Sequence, residues 1–179
     1  MIRLFAALAL PGAVAARVEA LQRGLPGRPP PPENLHLTLA FFGEVDEATA
    51  RDLHAALEGV AAPRFALTLD GVGAFGGAKP RALYATVRPE PALERLAAKV
   101  RQAGRAAGLA LPAEKFTPHV TLTRVAPGEV SATEAARLLA ARSAFLAGPF
   151  DVDAFALYRS DLGRRGPSYT AVATYPLAP

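Results

Sequence analysis

The chain has 179 residues, 51% of them hydrophobic, so it is long enough to bury the core of one globular domain. It contains no cysteine, which excludes disulfides, thiol nucleophiles and cysteine-based zinc sites and is typical of a reducing compartment. A net charge of +4 and a pI of about 9.8 favour a polyanionic partner, although an arginine-, alanine- and proline-rich composition explains that charge equally well.

An apolar stretch begins the chain, and we expect residues 2–10 to form the first strand. The stretch is too short and its basic flank too small for a secretory signal, and no segment approaches the ~20 apolar residues of a transmembrane helix. After Pro11 and Gly12, apolar residues recur at helical spacing up to Gly24, which predicts a helix with a glycine cap. The proline-rich residues 25–33 are expected to be a stiff connecting loop.

The middle of the chain predicts strands that alternate with helices. Residues 34–41 predict a strand, and the helix after it is expected to begin with Asp46 as its N-cap. Residues 65–69 and 81–87 alternate like strands, and the glycine-rich residues 71–78 between them are expected to form a loop. The remaining predicted elements are a helix from Pro91, a strand over 119–124, a helix with a capping box at Ser131 and Glu134 that ends near Arg142, and strands over 150–158 and 168–175.

The order of these elements repeats itself as helix, strand, helix, strand, strand. The number of residues from the first strand of a copy to its second strand is nearly the same in both copies. The number from the second strand to the third is also the same. We therefore predict one domain over residues 1–179 with an internal repeat, one half at about 12–88 and the other at about 91–176. Two such halves that face one another would enclose a pseudo-symmetric cleft.

A tetrapeptide of the form His-x-Thr-x occurs once in each half, at residues 36–39 and 119–122. Because side chains alternate along a strand, the histidine and threonine share one face while two apolar residues anchor the other. Histidine takes or gives a proton near neutral pH, and threonine hydroxyls can donate to phosphate oxygens. The pair of motifs therefore predicts one site in which two histidines act as acid and base at the phosphorus of a phosphodiester.

A metal site is the alternative interpretation of the two histidines. It lacks a third ligand at a suitable spacing, and only a distant carboxylate such as Glu44 or Asp70 could complete it, so we expect no metal. The third histidine, His54, has no threonine partner and is expected at the surface or a boundary. Four aromatic residues could stack on a base but are expected to serve packing: Phe42, Phe75, Tyr84 and Tyr158.

The segments around both motifs resemble those of the bacterial and archaeal RNA 2′,3′-cyclic phosphodiesterases, also called 2′-5′ RNA ligases, of the two-histidine phosphoesterase superfamily. Residues 34–45 (NLHLTLAFFGEV) and 115–124 (KFTPHVTLTR) are similar to the two motif blocks of that family, and residues 71–76 and 157–160 also resemble it. The resemblance covers essentially the whole chain. It implies an α+β fold with two pseudo-symmetric lobes, each an antiparallel sheet with outer helices, around a central groove.

The same resemblance implies metal-independent hydrolysis of a 2′,3′-cyclic phosphate at an RNA end to a 2′-phosphate, with no cofactor and with 2′-5′ ligation as the reverse reaction. It assigns His36 as proton donor and His119 as proton acceptor, and it assigns Thr38 and Thr121 to the phosphate. It also implies RNA ends, tRNA fragments among them, as partners of a cytoplasmic enzyme that we expect to be monomeric.

Arg124 follows the second motif, as an arginine does in the family, and the resemblance implies that it contacts phosphate or a backbone oxygen. An ideal strand would turn Arg124 to the face opposite His119, so the strand must end or bulge there, or Arg124 must act from the rim. The corresponding position in the first half is Phe41, which confines any cationic role to one half.

Two other functions stay open. The basic, arginine-rich composition also suits an RNA-binding protein that has kept the fold without catalysis, although the sequence lacks basic runs interleaved with aromatic residues. The same pair of histidines would also suit a small cyclic nucleotide such as ADP-ribose cyclic phosphate, or 2′-5′ oligoadenylate. The sequence does not identify the residues that would recognise a base.

Overall fold

The computed structural model describes residues Met1–Pro179, which form eight strands and four helices. Most of the predicted elements are present, several of them with the predicted caps. The elements in chain order are β1 (Ile2–Ala9), α1 (Gly12–Gln22), a 3-10 helix (Pro32–Asn34), β2 (His36–Val45), α2 (Glu47–Glu58), β3 (Phe65–Phe75), β4 (Ala82–Val87), α3 (Pro91–Ala106), β5 (His119–Arg124), α4 (Ala132–Ala140), β6 (Leu146–Val152), β7 (Ala154–Gly163) and β8 (Gly166–Pro176).

The strands form two antiparallel sheets, ordered β2-β1-β7-β8 and β5-β4-β3-β6. Helices α2 and α3 pack on the first sheet, through β8 and β2, and form the first lobe with it. Helices α1 and α4 pack on the second sheet, through β5, β6 and β3, and form the second lobe. The expected α+β fold with two lobes is thus confirmed.

Each lobe contains strands from both halves of the chain. The first sheet pairs β1 and β2 with β7 and β8, and the second places β6 beside β3. Two helices also cross between the lobes, because α1 follows β1 but packs on β5, while α3 follows β4 but packs on β2. This matched crossing supports the internal repeat, which we retain as a proposal.

Two predicted boundaries are wrong. Residues 71–78 are not all loop, because β3 continues to Phe75 across a register shift at Gly71, whose φ of +83° suits glycine. Residues 150–158 are not one strand, because the chain leaves the second sheet after Val152 and enters the first at Ala154. An alternating pattern is the same on both sides of such a crossing, so the sequence carries no mark of it.

Local capping and burial explain the elements on either side of the motif strands. The Asp46 carboxylate accepts a hydrogen bond from the backbone N–H of Thr49 at 2.7 Å, and the Ser131 hydroxyl accepts one from Glu134 at 3.1 Å. The apolar faces of β2 and β5 contribute fully buried side chains to a core of 31 buried residues. None of the helices has both the length and the apolar character that a membrane span requires.

The proline-rich segment after α1 is fixed against the end of β5. Gly27 in this segment has a φ of +88°, and a Cβ atom there would collide with the backbone oxygen of Arg124 and lie 2.8 Å from Thr123 Oγ1. The position therefore requires glycine. The hydrogen bonds that hold the segment run from Gln22 Nε2 to the carbonyls of Pro30 and Leu122, from Thr123 Oγ1 to that of Pro26, and both ways between the backbones of Arg28 and Arg124.

We expect Gly27→Ala to lower the free energy of unfolding by at least about 2 kcal/mol more than Gly128→Ala, because only the first adds a steric collision. Gly128 also has a positive φ, +78°, but a Cβ atom there would meet nothing within 4 Å. Both variants share the cost of the left-handed conformation, about 1–2 kcal/mol. Urea unfolding of the two variants measures the difference, and equal losses would show that the segment is not tightly seated on β5.

Candidate active site

The two motif strands match each other residue by residue. In the first six residues of both β2 and β5, the histidine and the motif threonine are half-buried, the second, fourth and fifth residues are buried, and the sixth residue is exposed. Both strands also carry one extra residue directly after the threonine, Leu39 in β2 and Leu122 in β5. Such a bulge shifts the alternation by one, so the residue five beyond each histidine, Phe41 or Arg124, returns to the histidine's face.

These bulges explain how Arg124 reaches the site. We expected either that the strand ends or bulges there or that Arg124 acts from the rim, and the structure shows the first: the strand bulges at Leu122 and ends at Arg124. Arg124 lies in the wall of the pocket that holds both motif histidines, and its charge acts on both of them. The pseudo-symmetric position, Phe41, also faces the groove, with 49% of its surface exposed.

One small pocket of about 40 Å³ between β2 and β5 brings together all five residues predicted from the sequence. Each lobe thus contributes two half-buried side chains to the pocket, a histidine and a threonine. Tyr169 of β8 and Asn34 of the 3-10 helix also contribute to the wall, although neither stands out in the sequence. The complete wall consists of Pro30, Asn34, Leu35, His36, Thr38, His119, Thr121, Arg124 and Tyr169.

Each imidazole is held by the backbone two residues before it. Nδ1 of His36 lies 2.7 Å from the carbonyl oxygen of Asn34, and Nδ1 of His119 lies 2.8 Å from that of Thr117. Because a carbonyl oxygen only accepts hydrogen bonds, Nδ1 carries a hydrogen in both rings. The neutral rings therefore keep Nε2 unprotonated, and Nε2 of His36 accepts a hydrogen bond from Thr38 Oγ1 at 3.0 Å.

Each imidazole also lies against two aromatic rings, and the two environments are similar. These rings exclude water from one side of the imidazole and limit its rotation. The two rings beside His36 come from β1 and β8, and the two beside His119 come from β3 and β4, so folding of each lobe positions its imidazole. The centroid distances are 4.9 Å from His36 to Phe5, 5.3 Å to Tyr169, 4.8 Å from His119 to Phe75, and 5.5 Å to Tyr84.

Burial and positive charge favour the neutral form of both histidines. Burial lowers the pKa of His36 below its ordinary value of 6.5, against the opposing effect of the Asn34 hydrogen bond; Arg124 and His119 lower it further. Burial also lowers the pKa of His119, again against its backbone hydrogen bond, and Arg124 adds to the decrease. An anion bound in the pocket would oppose these effects by attracting a proton to the rings.

The other candidate residues lie outside this pocket. His54 is exposed, as expected, and its Nδ1 lies 2.8 Å from the Tyr175 hydroxyl. Asp70 pairs with Arg88 at 2.9 Å, and no three His, Asp or Glu side chains are grouped as metal ligands would be. The four aromatic residues expected to pack do so: Phe42 in the core, Phe75 and Tyr84 against His119, and Tyr158 on Phe5.

Comparison with known proteins gives a consistent result. The sequence model of the 2′-5′ RNA ligase superfamily matches residues 10–164. The chain belongs to this superfamily. Similar relatives include the RNA 2′,3′-cyclic phosphodiesterases of Geobacillus stearothermophilus, 36% identical over 81% of this chain, and of Archaeoglobus fulgidus, 31% identical over 94% of it.

The chain spans 46% of the length of the G. stearothermophilus relative and 96% of the A. fulgidus one. Among solved structures, Escherichia coli LigT complexed with 3′-AMP is similar, with 30% identity, a TM-score of 0.82 and 99% of both chains covered. The two-lobed arrangement of this superfamily member is therefore shared with LigT along the whole chain.

We expect Arg124→Ala to raise the pKa of both His36 and His119, because it removes a positive charge that disfavours imidazolium. Arg124→Lys keeps the charge and should raise both pKa values less. NMR titration of the imidazole Hε1 signals measures this, with Arg95→Ala on α3, an exposed site without side-chain partners, as the control. Unmoved pKa values in Arg124→Ala would contradict the placement of its guanidinium beside the two rings.

Proposed function

We propose that this protein hydrolyses the 2′,3′-cyclic phosphate at an RNA end to a 2′-phosphate, without a metal ion. The observation that carries the proposal is the pair of imidazoles in one pocket, each with Nδ1 bonded to the backbone so that Nε2 is left for proton transfer. The relatives named RNA 2′,3′-cyclic phosphodiesterases support the choice of substrate. Enzymatic activity, substrate and residue roles are all part of this proposal.

In the proposed reaction, His119 removes a proton from water through Nε2, and the water oxygen attacks phosphorus. The bond between phosphorus and the 3′ oxygen breaks, and His36 as imidazolium donates the Nε2 proton to that oxygen. The products are a 2′-phosphate and a 3′-hydroxyl. Because the two imidazoles supply both proton transfers, the reaction needs no metal-bound water.

The phosphate oxygens are bound by three side chains in this mechanism. Thr38 and Thr121 donate their hydroxyl hydrogens to nonbridging oxygens, and Arg124 adds a positive charge. Thr38 also connects to the acid, since its Oγ1 lies 3.0 Å from His36 Nε2. When His36 is protonated, Nε2 becomes a donor, so the Thr38 hydroxyl hydrogen is free to bind phosphate.

The proposal predicts an acidic optimum for kcat/KM. The reaction needs one protonated and one neutral histidine, and both pKa values of the free protein lie below 6.5. The fraction in the required state is greatest between the two pKa values, so kcat/KM for a nucleoside 2′,3′-cyclic phosphate should peak below pH 6.5 and fall on both sides. A maximum at or above pH 7 would contradict these assignments.

His36→Ala and His119→Ala should each lower kcat by about 10²–10⁴-fold, the usual contribution of one acid or base. His54→Ala is the matched control, since His54 lies outside the pocket and should leave the rate unchanged. EDTA should leave the wild-type rate unchanged. Full activity in either pocket variant would rule out the two-histidine mechanism.

The same variants distinguish hydrolysis from the alternative function, which is RNA binding without catalysis. It predicts no hydrolysis by the wild type and salt-sensitive RNA binding that survives loss of both histidines. Fluorescence anisotropy of a labelled oligoribonucleotide measures this binding.

A further inference from the structure

A second, larger cavity of about 580 Å³ adjoins the catalytic pocket at its Arg124 end. The two share four wall residues: Pro30, Asn34, Arg124 and Tyr169. Its volume lies within the range of about 300–1,000 Å³ that is usual for ligand sites. The proposed reaction leaves this cavity without a role.

Four arginines line the cavity, and they come from both lobes. Arg3 of β1 and Arg165 of the turn between β7 and β8 belong to the first lobe. Arg124 ends β5 of the second lobe, and the backbone of Arg28 pairs with it. The cavity thus bridges the mouth of the groove with guanidinium groups on both sides.

These guanidinium groups have no carboxylate partners. None of the salt bridges in the protein includes any of the four arginines, and the one acidic residue in the cavity wall is Glu129. The Glu129 carboxylate already accepts a hydrogen bond from the backbone N–H of Ala126 at 2.7 Å. The cavity wall is therefore positively charged, and guanidinium groups bind phosphate oxygens in two-point contacts.

The chemistry of the substrate indicates which phosphate would lie there. In a terminal 2′,3′-cyclic phosphate, the ring uses both the 2′ and the 3′ oxygen, so the RNA chain continues only through the 5′ oxygen. With the cyclic phosphate between His36 and His119, the preceding phosphodiester must leave the pocket. The cavity that shares Arg124 and Tyr169 with the pocket offers it a basic wall.

We propose that this cavity binds the phosphodiester backbone on the 5′ side of the terminal nucleotide, through Arg28 and Arg165. The protein then acts on single-stranded RNA ends in preference to mononucleotide cyclic phosphates. The preference in rate rests on the proposed hydrolysis, whereas the binding of the backbone does not.

The test compares a nucleoside 2′,3′-cyclic phosphate with a tetraribonucleotide that ends in the same group. The wild type should have a kcat/KM at least about tenfold higher for the tetranucleotide. Arg28→Ala combined with Arg165→Ala should remove most of that advantage, with a far smaller loss on the mononucleotide. Arg95→Ala, an exposed arginine on α3 outside the cavity, should keep the full advantage. An advantage that survives in the double variant, or an equal loss on both substrates, would overturn the proposal.

A measurement of RNA binding tests the cavity independently of the proposed reaction. Anisotropy of a labelled tetraribonucleotide with a 3′-phosphate, measured over a range of salt concentrations, needs no turnover. The plot of log K against log salt has a negative slope, and the double variant should make it less steep by about 1.4, since each contact to a single strand contributes about 0.7. A changed slope without wild-type hydrolysis would support the cavity and reject the reaction, and an unchanged slope would reject the cavity. Competition by hexaglutamate as strong as that by the tetranucleotide would also reject it, in favour of an acidic peptide.

Discussion

Two β-bulges, one directly after each motif threonine, determine which side chains the groove contains. Without the extra residues Leu39 and Leu122, simple alternation would turn Phe41 and Arg124 away from the histidines. The bulge in β5 is stabilised by α1, because the side chain of buried Gln22 donates a hydrogen bond to the carbonyl oxygen of Leu122. The same bulge, present once in each motif strand, thus places the residue five beyond the histidine on the histidine's face. In β5 that residue is Arg124, which gives the pocket its positive charge.

The electrostatics of the pocket follow from that geometry. Aromatic rings and burial remove water from the imidazoles, and Arg124 adds a positive charge, so the neutral form of both histidines is favoured. A bound anion would offset both effects, so anion binding and protonation of the imidazoles would support each other. The pocket therefore favours an anion over a neutral ligand before any base is recognised. In our proposal, the basic cavity beside it extends the same preference along a polynucleotide.

The site was more predictable from the sequence than the fold around it. Residues 119–124 form the predicted strand, and Asp46 and Ser131 cap helices as expected, because these features depend on near neighbours. The change of sheet at Asp153 depends on which sheet is nearby, and alternation does not encode it. Tyr169 and Arg165 reach the groove only because β7 pairs with β1, far away in sequence, and β8 pairs in turn with β7. The monomeric state, the cytoplasmic location and tRNA fragments as substrates stay predictions.

The most direct test of the two-histidine account is the fate of the water oxygen. An RNA ending in a 2′,3′-cyclic phosphate would be incubated with the protein and EDTA in ¹⁸O-labelled water, and the product analysed by ³¹P NMR and mass spectrometry. The account predicts a 2′-phosphate that carries one ¹⁸O atom and a free 3′-hydroxyl. A 3′-phosphate, or no product until a divalent metal ion is restored, would contradict it.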